Sequence, residues 1–206
     1  MSAQWLSSVY ASVGIPQSGL QGTCNQEEWN LVGRVTNGLT LADFYAQWLG
    51  LQVPPPYLLF NQTEKHTEGF NYASGPAGIR PETSTVDHGV FLSMDKQVEL
   101  FKKTAQEYLP TLFGNPDELK DYLSKSIFLV VIGRNDYTQN FLSPKYNSSS
   151  KWNMKQFAEI IVDELGSKIL VSPFSPIRSK NSMSCFYYFI LYSTNYNMSC
   201  VQFFKI

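Results

Sequence analysis

A short run of apolar residues most constrains the fold of this chain. Residues 127–132 are six consecutive apolar side chains, and Gly133 closes the run before an Asn135-Asp136 pair. Such a run, rich in β-branched residues, is typical of a strand buried on both faces in a parallel sheet covered by helices. Ligands bind such sheets beyond the carboxyl ends of the strands. Asn135 and Asp136 therefore stand where a site is expected, although Asn-Asp after a strand is also ordinary turn chemistry.

A second segment has the same strand-then-loop character. Residues 69–73 predict a short strand, and the small residues at 74–78 predict the loop that follows it. Glycine at such a point, here Gly75, lets a substrate approach the backbone closely. Pro76 lacks an N–H donor, but Gly75 keeps its own. The alternative interpretation is a tight turn without chemistry.

An amphipathic helix is predicted over residues 40–49, before both of these segments in the chain. Thr40 is a suitable N-cap, and Gly50 can end the helix. The apolar residues follow helical spacing, so we expect one buried face, made of Leu41, Phe44, Tyr45, Trp48 and Leu49. We interpret this stripe as core and not as a lipid-binding surface.

Three further helices are predicted around the central strand. Residues 93–112 form the longest, Asn115 caps a shorter one, and residues 153–165 form the last. Between the last two, residues 137–150 predict a polar loop. We expect Asp136 to cap or tie this loop rather than to act as an acid.

Four segments, in this order, resemble the plant GDSL esterase/lipases of the SGNH-hydrolase superfamily. They read RVTNGLTLADFYAQWLGLQVPPPYL, GFNYASGPAGI, LSMDKQVELFKK and LSKSIFLVVIGRNDYTQNFL, and the resemblance covers roughly residues 34–169. It implies an α/β fold, a three-layer α/β/α sandwich with a parallel, flavodoxin-like sheet that is incomplete in this chain. The segments at 69–73 and 126–132 should then be parallel strands of one sheet.

The resemblance also implies which residues take part in chemistry. Asn135, in Gly-Arg-Asn-Asp, matches the family's Gly-x-Asn-Asp, and its side-chain amide is one expected oxyanion donor; the backbone N–H of Gly75 is the other. Neither the family's Gly-Asp-Ser-Leu, which carries the nucleophile, nor its Asp-x-x-His occurs in the sequence. We interpret the serines near the N-terminus and both histidines, His66 and His88, as loop residues.

The implied function is hydrolysis of lipid or other small-molecule esters by serine chemistry, at the level of the family. The alternative is a truncated, non-catalytic remnant or a protein that only binds such ligands. We expect residues 1–170 to form a partial hydrolase domain. Residues 171–206 are expected to be a divergent, non-homologous tail, the product of read-through or of a mispredicted gene. Because the family's first strand is lost or replaced by a weak segment at 9–13, the chain should be poorly soluble.

Composition narrows the remaining classes of function. A formal net charge of −1 argues against nucleic acid as the main partner, and no window is apolar enough for a membrane span. The first residues have no basic start and no long apolar core, so a secretory signal peptide is not predicted, although the resembled family is usually secreted. Three cysteines at no metal-like spacing favour structural or free thiols over a zinc site, and we expect no cofactor.

Overall fold

The computed structural model describes residues 39–61, 63–74, 77–86, 89–90, 92–170, 186–189 and 200–205. Its α-helices are α1 (Leu41–Trp48), α2 (Met94–Lys103), α3 (Pro116–Ser124), α4 (Ser148–Lys151) and α5 (Met154–Leu170). Its strands are β1 (Gly69–Asn71), β2 (Thr85–Val86), β3 (Gly89–Val90), β4 (Ser126–Val131), β5 (Phe186–Phe189) and β6 (Cys200–Lys205). No helix within these ranges is long and apolar enough to cross a membrane.

Four of the strands form one sheet in the order β1-β6-β4-β5, while β2 and β3 form a separate hairpin. β5 is parallel to β4, and β6 is antiparallel to both β4 and β1. β1 and β4 therefore run in the same direction in one sheet, as predicted from the sequence.

The prediction of a wholly parallel sheet is wrong, because β6 runs against its neighbours. β5 ends opposite Val131, and β6 begins opposite the same residue. Ten residues, 190–199, join the two strands. A parallel crossover needs about a dozen residues or more, so a connection of this length favours a return from the same edge of the sheet.

β4 is buried on both faces, as its apolar run predicts. Phe128, Val130 and Ile132 belong to the main hydrophobic cluster, together with buried residues of α2, α3 and α5. Leu129 and Val131 point the other way and pack with Ala42 and Ala46 of α1. Because successive side chains of a strand alternate between faces, β4 has helices on both sides.

α1 has the predicted bounds but not the predicted buried face. Thr40 and Asp43 form a capping box, and Gly50 has φ +71°, the left-handed conformation that favours glycine. Phe44 and Trp48, however, are 53% and 85% exposed. The buried apolar residues of α1 are Ala42 and Ala46, because small side chains allow the helix backbone to lie close to the sheet, whereas a count of apolar positions ignores size.

The other helices lie close to their predicted positions. The segment at 93–112 begins as α2, loosens into a π-helical stretch at Thr104–Tyr108 and ends in a 3-10 turn at Leu109–Thr111. Pro110 lies in that last turn and cannot donate a helical hydrogen bond. α5 continues to Leu170, five residues beyond its predicted end.

Candidate active site

The candidate site lies beyond the carboxyl end of β4. Gly133 has φ +116°, a conformation that residues with a side chain rarely adopt, and there the chain turns out of the strand. A helical segment follows at once and continues as a π-helix over Asp136–Phe141. This turn places Asn135 and Asp136 together at the sheet edge, and both side chains are fully buried.

Asp136 holds the loop that follows β1. Its carboxylate accepts the backbone N–H of Ile79 at 2.8 Å and of Arg80 at 3.0 Å, and the Thr83 hydroxyl donates to it at 2.8 Å. Burial raises the pKa of this carboxyl above its usual value, although the same three donors act in the opposite direction. The sequence suggested that Asp136 ties its own loop; it also ties a segment more than fifty residues earlier.

A short polar chain extends this contact. The Asn140 amide donates to the Thr83 hydroxyl oxygen at 3.2 Å, and the Ser148 hydroxyl donates to Asn140 Oδ1 at 2.5 Å. Asn140 and Phe141 are buried, so the predicted polar loop at 137–150 is wrong for its first part. Tertiary contacts order this segment, because polar residues are buried where partners satisfy them.

Asn135 contacts the same loop at a different point. Its Nδ2 donates to the carbonyl of Ala77 at 2.9 Å. This hydrogen bond fixes the orientation of the carboxamide, which is required of any preorganised donor. Gly75, the other predicted oxyanion donor, lies outside the described residues. The structure therefore places Asn135 against the predicted loop but leaves its pairing with Gly75 a prediction.

The loop that faces Asn135 is closely packed. A Cβ at Gly78 would lie 2.5 Å from Thr83 Cβ and 2.6 Å from Asp136 Oδ1, so glycine is required by close approach. Ser74 accepts the Leu92 N–H on its Oγ at 3.0 Å, and the Gly78 carbonyl accepts the Met94 N–H at 3.1 Å. The residues before α2 thus support the loop from behind.

An arginine connects the far side of the loop to the last helices. Arg80 pairs with Glu82 at 2.9 Å and lies 3.6 Å from Glu164 of α5. Its guanidinium also lies 5.5 Å from the ring centre of Trp152, within the range of a cation–π contact. These contacts brace the loop that Asp136 and Asn135 contact.

His66 lies at the other end of β1 and does not approach the site. Its Nε2 is 2.8 Å from the carbonyl of Gly69, the first residue of that strand, and its ring packs on Phe60 and Phe70. The interpretation of His66 as a loop residue is confirmed. His88 and the serines at positions 7, 8, 12 and 18 lie outside the described residues. Across the described ranges, no three His, Cys, Asp or Glu side chains group so as to hold a metal ion.

Thr83, Asn140 and Ser148 were not singled out from the sequence. Each is an ordinary polar residue, and the contacts between Thr83 and the segment after β4 join positions 53 and 57 residues apart. No local pattern signals such a contact. Together, Asp136, Thr83, Asn140 and Ser148 form a buried polar network. Beside it, the Asn135 carboxamide is oriented against the loop that follows β1.

Comparisons with known proteins agree on one family. The family described as GDSL-like Lipase/Acylhydrolase matches residues 8–200. GDSL esterase/lipase 7 of Arabidopsis thaliana is 37% identical over 139 residues, which cover 66% of this chain and 38% of that protein. Two other Arabidopsis thaliana GDSL esterase/lipases are 42% identical over 132 residues and 33% identical over 163 residues. These alignments cover 63% and 78% of this chain and 35% and 39% of those relatives. The chain spans less than two fifths of each relative, and no solved structure matches it.

Proposed function

The chain belongs to the GDSL-like lipase/acylhydrolase family, and from that premise we propose that its site is built for small-molecule esters. In this proposal the Asn135 amide and the Gly75 backbone N–H stabilise the negative oxygen that forms when an ester carbonyl is attacked. The observation that carries it is the buried Asn135 amide, which the Ala77 carbonyl holds at the carboxyl end of β4.

The chemistry of a carboxamide suits this role. A carboxamide carries its N–H donors on one nitrogen and has no ionisable group, so in this proposal Asn135 offers a neutral donor to the oxyanion. A donor that is already oriented does not have to reorganise during the reaction, and low-dielectric surroundings strengthen its effect. Asp136 has a different part in the proposal: it positions the loop that carries Ala77 and is not a general acid.

We further propose that the domain is a three-layer α/β/α sandwich related to the flavodoxin-like fold, with β6 at the position that the first strand has in flavodoxin-like order. Helices on both faces of β4 and the common direction of β1 and β4 support this assignment. In that order, 2-1-3-4-5, the first strand lies between the strands that correspond to β1 and β4. The two proposed oxyanion donors then follow the strands on either side of that central position.

A second candidate function is ester binding without turnover by this chain. The observation in its favour is that Gly-Asp-Ser-Leu and Asp-x-x-His are both absent from the sequence. Serine hydrolysis needs a nucleophile, a base, a group that orients the base, and oxyanion donors. We assign only the last of these to the present chain, so we expect it to bind ester-like ligands and not to turn them over at an appreciable rate.

Kinetics and binding on the same variants test both candidates. Hydrolysis of short-chain p-nitrophenyl esters and binding of hexanoate, a product-like carboxylate, are measured for the chain and for Asn135→Ala. Asn61→Ala, at an exposed position, is the matched control. We expect hydrolysis no faster than that of Asn135→Ala, together with hexanoate binding that Asn135→Ala weakens and Asn61→Ala does not.

The other outcomes separate the candidates. Turnover that falls about 100- to 1,000-fold in Asn135→Ala, and that a serine-directed fluorophosphonate blocks, would favour the hydrolase and reveal a nucleophile. Equal behaviour of Asn135→Ala and the control in both assays would overturn the proposed role of Asn135. Absence of both turnover and binding would overturn the proposed site.

A further inference from the structure

The C-terminal strand β6 lies inside the sheet and not at its edge. Gln202 is opposite Asn71 of β1 on one side and Leu129 of β4 on the other. The register continues over three residue pairs with β1 and six with β4. β6 therefore lies between β1 and β4 and pairs with both of them.

β1 and β4 cannot close this gap by themselves. Neighbouring strands lie about 4.8 Å apart, so removal of β6 would leave roughly 10 Å between the two. Phe70 and Asn71 of β1 and Phe128 and Val130 of β4 are all buried. Unpaired backbone groups next to these residues would carry a desolvation penalty. The two strands therefore require a third strand between them.

We propose that the space between β1 and β4 is a strand-binding slot, and that the chain's own segment Cys200–Lys205 occupies it. The occupant reads Cys-Val-Gln-Phe-Phe-Lys, a sequence of β-branched and aromatic residues with high strand propensity. While it is bound, no other strand can pair with the facing sides of β1 and β4, and β5 pairs only with the opposite side of β4. The segment expected from the sequence to be an unrelated tail thus acts as the central strand.

The direction of the occupant matters for the site. Cys200 lies opposite Val131, so β6 begins near Asn135, at the carboxyl end of β4. Lys205 lies opposite Ser126, at the amino end of β4. A parallel strand in the same slot would bring its carboxyl end, and the residues after it, to the edge near Asn135. The antiparallel occupant instead keeps that position from any residue that follows a parallel central strand. This consequence rests on the proposed function, whereas the slot itself does not.

The register can be tested by a disulfide in the full chain. Opposed residues of antiparallel strands have Cα atoms about 4.5–5.5 Å apart, within the range that a disulfide spans. With Cys24→Ser and Cys185→Ser in the background, we expect Val131→Cys to form a disulfide with Cys200 under mild oxidation. Val130→Cys, which is opposite Val201, is the control and should not. Linked peptides are identified by mass spectrometry. Equal linkage in both variants, or none in Val131→Cys, would overturn the register.

Hydrogen exchange tests the occupancy of the slot independently. Proline cannot donate to a ladder, so Gln202→Pro should speed amide exchange in β1 and β4 by at least tenfold. Gln202→Thr keeps the N–H and the strand propensity, and it should leave exchange within about twofold of wild type. Helix α3 is far from β6 in the sequence and does not pair in the sheet, so its amide exchange reports whether the proline variant remains folded. If α3 stays protected and exchange in β1 and β4 is unchanged by proline, β6 does not fill the slot. Global loss of protection in Gln202→Pro but not in Gln202→Thr supports a central strand.

Discussion

At the scale of single residues, the site depends most on one buried carboxylate. Asp136 replaces the solvation that it loses with two backbone donors and one hydroxyl, all from the loop between Ile79 and Thr83. Gly78 allows this loop to approach so closely, because it has no Cβ. The orientation of Asn135 follows from the same loop, through the Ala77 carbonyl.

The close approach at Gly78 predicts a large effect of a small substitution. Gly78→Ala would place a methyl group 2.5 Å from Thr83 Cβ, so we expect it to lower the free energy of unfolding by about 1–3 kcal/mol. Gly166→Ala, in α5, has nothing within 4 Å and should raise the same quantity by about 0.5–1 kcal/mol. Urea denaturation measures both. A similar shift for the two variants would contradict the packing described at Gly78.

Burial of Asp136 predicts a dependence of stability on pH. Burial raises the pKa of the folded carboxyl above its ordinary value of 3.8, so the folded chain binds more protons between the two pKa values. The free energy of unfolding contributed by this group therefore falls as pH rises from about 4 through the folded pKa, and then levels off.

Two variants isolate this dependence. Asp136→Asn removes the titrating group, so the stability of wild type minus that of Asp136→Asn should decrease as pH rises. Asp163→Asn removes a charge at an exposed position and controls for the change in net charge. Urea unfolding at several pH values between 4 and 8 gives the two differences. A wild-type advantage that grows with pH would mean that hydrogen bonding, and not burial, governs the Asp136 carboxyl.

At the scale of elements, α1 shows how the size of side chains decides which face of a helix is buried. Ala42 and Ala46 lie four residues apart and contact Leu129 and Val131 across a short distance. Larger side chains at these two positions would push the helix away from the sheet. Phe44 and Trp48 are consequently left on its outer side, where they are mostly exposed, whereas Tyr45 packs partly against the same cluster.

This orientation of α1 predicts an unusual order of mutational effects. Ala46→Leu should lower the free energy of unfolding by about 1–3 kcal/mol, because the added carbons do not fit between α1 and β4. Trp48→Ala, despite the loss of a large ring, should change it by no more than about 0.5 kcal/mol. Thermal or urea unfolding of the two variants gives the answer. If Trp48→Ala were the more damaging change, the aromatic stripe would be buried, as the periodicity of the sequence suggested.

At the scale of the whole molecule, the sheet separates two clusters of unequal size. The main cluster joins β1 and β4 to α2, α3 and α5, with Phe128 stacked edge-on against Phe101 at 5.3 Å between ring centres. The second cluster has four buried residues, from α1 and β4. Lys168 of α5 also contacts Asp95 of α2 at 2.6 Å, which ties two helices of the main cluster together.

The unequal clusters predict unequal losses for neighbouring residues of β4. Phe128→Ala should cost about 3–5 kcal/mol, a large part of the roughly 5–15 kcal/mol that stabilises a typical domain. Leu129→Ala, on the opposite face, should cost less, near the lower end of about 2–5 kcal/mol. Urea unfolding of both variants, fitted with one common m-value, compares the two losses. A larger loss for Leu129→Ala would show that the face of α1 holds more of the core than its buried residues indicate.

The local elements and the family could be predicted from the sequence alone. The apolar run at 127–132 predicted a strand buried on both faces, Thr40 and Asn115 predicted helix starts, and four ordered segments identified the family. Each of these signals can be recognised in the sequence because it depends only on residues that are close together in the chain. Asn135 could be singled out for the same reason, since it belongs to a short motif directly after a strand.

Long-range contacts, by contrast, set the direction of the central strand, the buried face of α1 and the partners of Asp136. β6 pairs with strands more than sixty residues away, α1 is oriented by the sheet beneath it, and Asp136 contacts residues 53 to 57 positions earlier. No local sequence pattern in either segment predicts such contacts. Which segment fills a slot, and which side chain fits a narrow gap, is settled by geometry and close packing once the elements meet.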